Sequence, residues 1–239
     1  HYSFIAMFDN GQLAAARFHE PLIIGVGEKN YFLSSDVLGF IEQTDNAIYI
    51  DNGNFVLIDQ DKMQILDFDG NEIKSQITKV SKEFADVYKG DYAHFTLKEI
   101  SEQPETIFKA GESTKEAIKI SADYLKHAKN IYLTGSGTSY NASLVAKHLF
   151  SKYAKIKTES IIASEMQFSQ DSIEPNSILI AISQSGESAD VLEAVDIAKK
   201  VNCKIISIIN SLTSTLARES DIIIGMNCGP EIGVAATKS

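Results

Sequence analysis

Residues 1–78 carry short runs of apolar and aromatic residues, at 2–8, 13–18, 21–26, 30–33, 47–50, 55–58 and 63–68. Polar turn signals separate several of them: Asp9-Asn10-Gly11, Asp51-Asn52-Gly53 and Asp69-Gly70, residue types that accept the backbone angles of tight hairpins. The pattern predicts a meander of antiparallel strands with one short helix over 36–41. Near residue 105 the period changes. Ser113-Thr114-Lys115-Glu116 reads as a capping box, opening a helix with Ala117, Ile118, Ser121, Ala122 and Leu125 inward. A second helix carries the stripe Ala142, Val145, Ala146, Leu149, Phe150 and Tyr153, and a third carries Val191, Ala194, Val195 and Ala198. Apolar runs at 130–134, 157–162, 178–182, 204–209 and 222–224 alternate with these helices. Strands that are apolar on both faces need helices on both sides, so residues 105–239 are expected to form a doubly wound α/β domain with a parallel sheet. Residues 79–104 are charged, lack a clear period and end in Glu102-Gln103-Pro104, which predicts an interdomain linker.

The run 178–182 enters Ser183-Gln184-Ser185-Gly186-Glu187-Ser188 and a helical pattern leaves it. The first N–H groups of that helix, and the positive end of its dipole, face the turn. Ser183, Ser185 and Ser188 offer hydroxyls, and Gly186 is expected to let a ligand approach the backbone. Helix capping accounts for one serine. Ser183, Gln184, Ser185 and Ser188 together exceed what a cap requires, and they describe a cradle for a small anion, most simply a phosphate. Gly135-Ser136-Gly137-Thr138-Ser139 follows another strand, and ligands of doubly wound sheets bind at the carboxyl ends of strands, so the two loops are expected to face one pocket. Glu187 would repel a phosphate and is expected to turn outward.

The formal charge of −10 argues against a nucleic-acid partner or an anionic membrane surface. It also requires that any anion be held by helix ends and hydroxyls rather than by net charge. At 239 residues, 44% hydrophobic, the chain has room for one large or two modest globular domains. No apolar run reaches the roughly 20 residues of a spanning helix, and no signal-peptide pattern follows His1-Tyr2-Ser3. A cytoplasmic location is expected. Cys203 and Cys228 have no metal-ligand spacing and read as buried small apolar residues in a reducing compartment. No metal and no organic cofactor is expected, because no cluster of His, Cys and acids has ligand spacing. The start without Met and the stop at Ala236-Thr237-Lys238-Ser239 suggest a piece of a longer protein.

Rival motifs fail on their residues. Gly135-Ser136-Gly137-Thr138-Ser139-Tyr140 begins like a dinucleotide fingerprint, with Glu159 as a ribose-binding acid, but Tyr140 stands where the third glycine belongs. Ser185 is no nucleophile elbow, since Ser183 and Glu187 occupy the two glycine positions. His148 falls off the apolar stripe and reads as a solvated side chain rather than a base. Glu165, Gln167 and Phe168 are accounted for by a helix start and core packing.

Several segments carry a family resemblance: Ser136-Gly137-Thr138-Ser139-Tyr140-Asn141, Ala163-Ser164-Glu165, Ser183-Gln184-Ser185-Gly186-Glu187, Arg218-Glu219-Ser220-Asp221 and Glu231-Ile232-Gly233-Val234-Ala235. In this order and spacing they resemble the glutamine–fructose-6-phosphate aminotransferases, whose isomerase half has the sugar-isomerase (SIS) fold. Lys98-Glu99-Ile100-Ser101-Glu102-Gln103-Pro104 is similar to that family's interdomain junction. Residues 1–78 are similar to the later half of its N-terminal-nucleophile glutaminase domain, through Ala15-Ala16-Arg17, Pro21-Leu22-Ile23-Ile24-Gly25 and Ser34-Ser35-Asp36.

The resemblance implies an enzyme that makes glucosamine 6-phosphate from fructose 6-phosphate and glutamine, working as a homodimer. It implies phosphate binding by Ser139, Ser183, Gln184, Ser185 and Ser188, with Thr138 bordering the pocket and Val234 and Ala236 on its sugar side. The family's nucleophilic cysteine would precede His1, and its Schiff-base lysine, glutamate base and ring-opening histidine would follow Ser239. No catalytic residue is therefore expected within this segment, which by itself should be inactive. Ser188 stands where Thr is common and keeps the hydroxyl; Ala236 stands where Ser is common and lacks one donor. A sugar-phosphate-sensing SIS module without catalysis is the alternative, although it has no use for glutaminase-like residues 1–78.

Overall fold

The computed structural model describes the chain except residues 1, 19, 60, 61, 81–90 and 234 and the side chain of residue 113. It divides into two units, His1–Tyr88 and Lys89–Ser239.

The first unit holds two antiparallel sheets. One contains β1 (Tyr2–Met7), β2 (Leu13–Phe18), β6 (Asn54–Asp59) and β7 (Lys62–Asp67), in the order β1-β2-β6-β7. The other contains β3 (Ile23–Val26), β4 (Tyr31–Ser34), β5 (Asn46–Tyr49) and β8 (Thr78–Lys79), in the order β4-β3-β5-β8. The predicted meander is thus two sheets. The reason lies in β3 and β5, where adjacent apolar residues must be buried on opposite faces. Ile24 and Ile48 join Ala15, Val56, Ile58 and Ile65 in one core. Ile23 and Ala47 join Phe40 and Ile41 in another. The expected short helix is a single 3₁₀ turn, Val37–Gly39, capped by Asp36, whose carboxylate accepts the Leu38 N–H at 2.8 Å.

The second unit is built on a parallel sheet of β9 (Ile131–Gly135), β10 (Glu159–Ile162), β11 (Ile178–Ser183), β12 (Lys204–Ile209) and β13 (Ile222–Gly225), in the order β10-β9-β11-β12-β13. Before it come α1 (Phe95–Ser113) and α2 (Lys115–His127). Between strands lie α3 (Thr138–Leu149), α4 (Met166–Ser169), α5 (Ala189–Lys200) and α6 (Thr215–Arg218). Leu125 of α2 and Ala146 of α3 pack with Ile131, Leu133, Ile180 and Ile206 on one face. Met166, Val191, Val195 and Leu216 cover the other with Tyr132, Leu179 and Ile205. The sheet is covered on both sides, as a doubly wound α/β domain requires.

Several local expectations are corrected. Of the stretch expected as a linker, residues 95–104 belong to α1, which runs through Pro104. Pro104 and Ile100 both lie on the exposed side of that helix, where water can serve the carbonyl that the missing N–H leaves free. The capping box does not form: Thr114 precedes α2 without a side-chain cap, and its hydroxyl donates to the Ala110 carbonyl at 2.7 Å. Ile118 is half exposed. The apolar stripe expected from Ala142 to Tyr153 is split: Ala146 and Phe150 pack on the sheet, while Val145 is 58% and Tyr153, past the end of α3, 72% exposed, and Ser143 is fully buried and hydrogen-bonded to Ser160. Phe168 is 77% exposed and Met166 fills the core position instead. No described helix is long and apolar enough to cross a membrane.

Candidate functional site

In β-strand order the chain moves from β9 to β10 on one side, then returns to place β11 on the other side of β9. The loops after β9 and β11 therefore diverge, leaving a crevice at their carboxyl ends. Ile182 and Gly135 are partners across the two strands, so both loops start at the same level. A side chain on Gly135 would lie 3.0 Å from Ile182 O and 3.0 Å from Ser139 Cβ, so Ser139 and the end of β11 both close on the space beside Gly135. Only glycine permits that approach.

Gly137 precedes α3 with φ +56°, and Ser188 precedes α5; neither provides a side-chain cap. The first intrahelical bonds are Asn141 N–H to Gly137 O at 3.2 Å and Leu192 N–H to Ser188 O at 3.0 Å. The Ala189, Asp190 and Val191 N–H groups thus begin α5 without intrahelical acceptors, beside the hydroxyls of the loop.

Those hydroxyls divide by role. Ser183 is 2% exposed and its Oγ accepts the Gly186 N–H at 3.0 Å, so it shapes the loop. Ser185 Oγ accepts the Glu187 N–H at 3.2 Å, and Ser188 Oγ lies 3.4 Å from Ser183 Oγ. Ser185, Ser188, Gln184 and Ser139 are half-buried and Thr138 is exposed, which leaves their polar groups within reach of a ligand.

Two expectations change here. Gly186 is buried with φ +68°, and a side chain on it would meet Ser214 Oγ at 2.1 Å; its freedom serves packing against the 214 turn, not ligand approach. Glu187 does not reach outward. Its Oε1 accepts the Thr215 N–H at 2.7 Å, the first residue of α6, and its Oε2 is buried without a partner among the described residues. One oxygen of the carboxylate is thus met by the first N–H of the next helix.

Asn210 was not singled out in the sequence, although it directly follows β12. Its N–H donates to Gln184 O at 3.2 Å, its Oδ1 accepts the Cys228 N–H at 2.9 Å and its Nδ2 donates to Gly229 O at 2.7 Å. It ties the serine loop to the segment that leads to Ala236. Val234 lies outside the described residues. Ala236 is half-buried in a loop closed by Glu231, whose Oε1 accepts the Thr237 N–H at 2.6 Å and the Lys238 N–H at 2.8 Å. Cys203 and Cys228 are buried and free, and burial pushes both thiols up. A groove of about 560 Å³ beside Tyr124, His127, Ile178 and Lys204 opens at the opposite edge of the sheet, and none of the expected site residues lines it.

Burial raises the Glu231 carboxyl, but hydrogen bonds from Ser239, Lys238 and Thr237 outweigh it and hold the group below its ordinary 4.5. A depressed folded-state value means that its contribution to loop stability is complete above 4.5 and is lost as the pH falls through the lower value. The Thr237 and Lys238 amide resonances are expected to titrate together on the acid side of 4.5, and Glu231→Gln should remove that transition. Movement confined to higher pH would contradict the assignment.

The class of domain is a doubly wound α/β sheet with hydroxyl-rich loops at its switch point, and residues 124–239 match the SIS domain family. The chain is 38% identical over 236 residues to the glutamine–fructose-6-phosphate aminotransferase [isomerizing] of Clostridium tetani, covering 95% of this chain and 39% of that protein. It is 38% identical over 229 residues to the protein of the same name from Methanothermobacter thermautotrophicus, covering 96% of this chain and 38% of that protein. The C-terminal domain of glucosamine-fructose-6-phosphate aminotransferase from Francisella tularensis superposes with a TM-score of 0.59 at 38% identity, over 64% of this chain and 45% of that one. Residues 124–239 are thus similar to SIS domains, and along nearly its whole length the chain is similar to a part of the glutamine–fructose-6-phosphate aminotransferases; it spans about 39% of the length of the curated relatives it matches.

Proposed function

We propose that this chain is the sugar-phosphate-binding segment of an enzyme that makes glucosamine 6-phosphate from fructose 6-phosphate and glutamine. The observation that carries the reading is the pair of loops at the β9/β11 crevice, where half-buried hydroxyls adjoin two helix starts without side-chain caps. Ser139, Gln184, Ser185 and Ser188 hold the phosphate, Ser183 shapes their loop, Thr138 borders the pocket, and the segment containing Val234 and Ala236 lines the sugar side. The antiparallel first unit is the later part of a glutaminase domain. Identity to the relatives runs over 236 residues, well beyond 124–239, which a stand-alone sensing module does not account for. The protein works in the cytoplasm as a homodimer.

The chemistry this segment supplies is binding and orientation. Hydroxyls and peptide dipoles neutralise the phosphate without a cation, so an acidic protein can seat an anion. Thermal unfolding of the chain with glucosamine 6-phosphate, fructose 6-phosphate, free glucosamine and NAD tests the reading. Either sugar phosphate should stabilise the second unit by about 2.7 kcal/mol at roughly a hundred times its Kd, and the other two compounds should not. Equal effects of all four, or none, would refute it.

A further inference from the structure

The motif Lys98-Glu99-Ile100-Ser101-Glu102-Gln103-Pro104 has no part in the phosphate cradle, and it lies outside the stretch matching the SIS family. In the structure it forms much of α1, and the burial of that helix is inverted. Leu97, Ile100, Ile107 and Phe108 are exposed, while Glu99 is 2% and Thr106 6% exposed. The inward face is polar because it grips another piece of polypeptide. Glu99 Oε1 accepts the Ile232 N–H at 2.6 Å and the Gly233 N–H at 2.9 Å, and Oε2 accepts the Thr237 hydroxyl at 3.0 Å. Around it, Gln103 Nε2 donates to Thr237 O, Thr106 donates to Lys238 O at 3.2 Å, and buried Lys238 meets Glu102 at 2.6 Å. Gly233 completes the fit, since a side chain there would lie 2.5 Å from Glu99 Oε2.

We infer that Glu99 is a positioning residue: α1 uses its carboxylate to fix the loop after β13, and through it the sugar side of the site. The inference rests on the proposed sugar-phosphate reading for its functional half. Two backbone donors and a hydroxyl converge on one buried carboxylate, so both of its oxygens are hydrogen-bonded, as a buried charged group requires. The phosphate cradle belongs to other loops, held by Ser183, Glu187 and Asn210, so loosening the Glu99 loop separates sugar recognition from phosphate recognition.

The test is calorimetric titration of the full chain with glucosamine 6-phosphate and with inorganic phosphate, together with amide hydrogen exchange. In Glu99→Ala, exchange at Ile232 and Gly233 should speed up, and sugar-phosphate affinity should fall, each by at least about tenfold, with inorganic phosphate affinity unchanged. Glu99→Gln keeps one acceptor oxygen for both N–H groups and offers an N–H to Thr237, so it should restore most of both properties. Unchanged exchange in Glu99→Ala would overturn the clamp. Equal losses for sugar phosphate and inorganic phosphate would overturn its positioning role in favour of general destabilisation. Should the unsubstituted chain bind inorganic phosphate but no sugar phosphate, the functional reading and the positioning role fall together, and the exchange result alone decides the clamp.

Discussion

Replacing Ser185 and Ser188 together by alanine is expected to abolish stabilisation by glucosamine 6-phosphate while leaving the unliganded protein nearly as stable as before. Ser188 provides no side-chain helix cap, and its hydroxyl makes, among the described residues, the long 3.4 Å contact to Ser183 Oγ. Ser185 accepts one N–H at 3.2 Å in a half-exposed turn that water can serve instead. Their loss should cost less than about 1 kcal/mol in the free protein. Hydrogen bonds to a charged group contribute about 1.5–3 kcal/mol each, so losing two should weaken binding by more than about a hundredfold. Ser183→Ala should behave in the opposite way. It leaves the buried Gly186 N–H without its acceptor, and should cost about 1–3 kcal/mol of stability whether or not ligand is present. Denaturant unfolding with and without ligand reads both effects. A double variant that retains full ligand stabilisation would mean that the anion does not sit among these hydroxyls.

The contrast between these serines also marks where the sequence was legible. Apolar runs located every strand except β8 within a residue or two, because a buried strand needs apolar side chains whatever its neighbours are; β8 is the exposed pair Thr78–Lys79, which carries no apolar run. Which turn serine shapes the backbone and which can reach a ligand depends on the path of the loop, and three serines within six positions carry no such signal. Helix orientation was legible for α5, whose stripe Val191, Ala194, Val195 and Ala198 is buried, and only partly so elsewhere, for a related reason. The inward face of α1 is polar, at Glu99 and Thr106, and α3 buries Ser143 beside the core-packed Ala146, while Ile107, Phe108 and Val145 face outward. Periodicity finds a stripe but assigns it to the core by default. Buried hydrogen bonds from Glu99 and Ser143 reverse that assignment, and their partners lie far along the chain, at Ile232 and Gly233 for one and Ser160 for the other. Pro104, read as the end of a linker, falls on the exposed side of α1, where a missing N–H is tolerated.

Gly186→Ala is expected to be the most damaging single methyl addition near the site, at about 2–4 kcal/mol of unfolding free energy. Two costs combine. Positive φ, here +68°, is unfavourable for any residue with a Cβ, by about 1 kcal/mol. The added methyl would also sit 2.6 Å from Ser214 Cβ and 2.1 Å from its Oγ, and Ser214 is 1% exposed. Ser214 cannot simply rotate away, because its Oγ accepts the Ala217 N–H at 3.3 Å and starts α6. Displacing it disturbs the same turn that Glu187 holds through Thr215, so the serine loop and α6 must move together. The steric share of the cost should therefore disappear in Gly186→Ala/Ser214→Gly, while the φ penalty stays. The double variant should be more stable than the sum of its single changes implies, by about 1–2 kcal/mol. Strict additivity would mean that Ser214 is not what fills the space above Gly186.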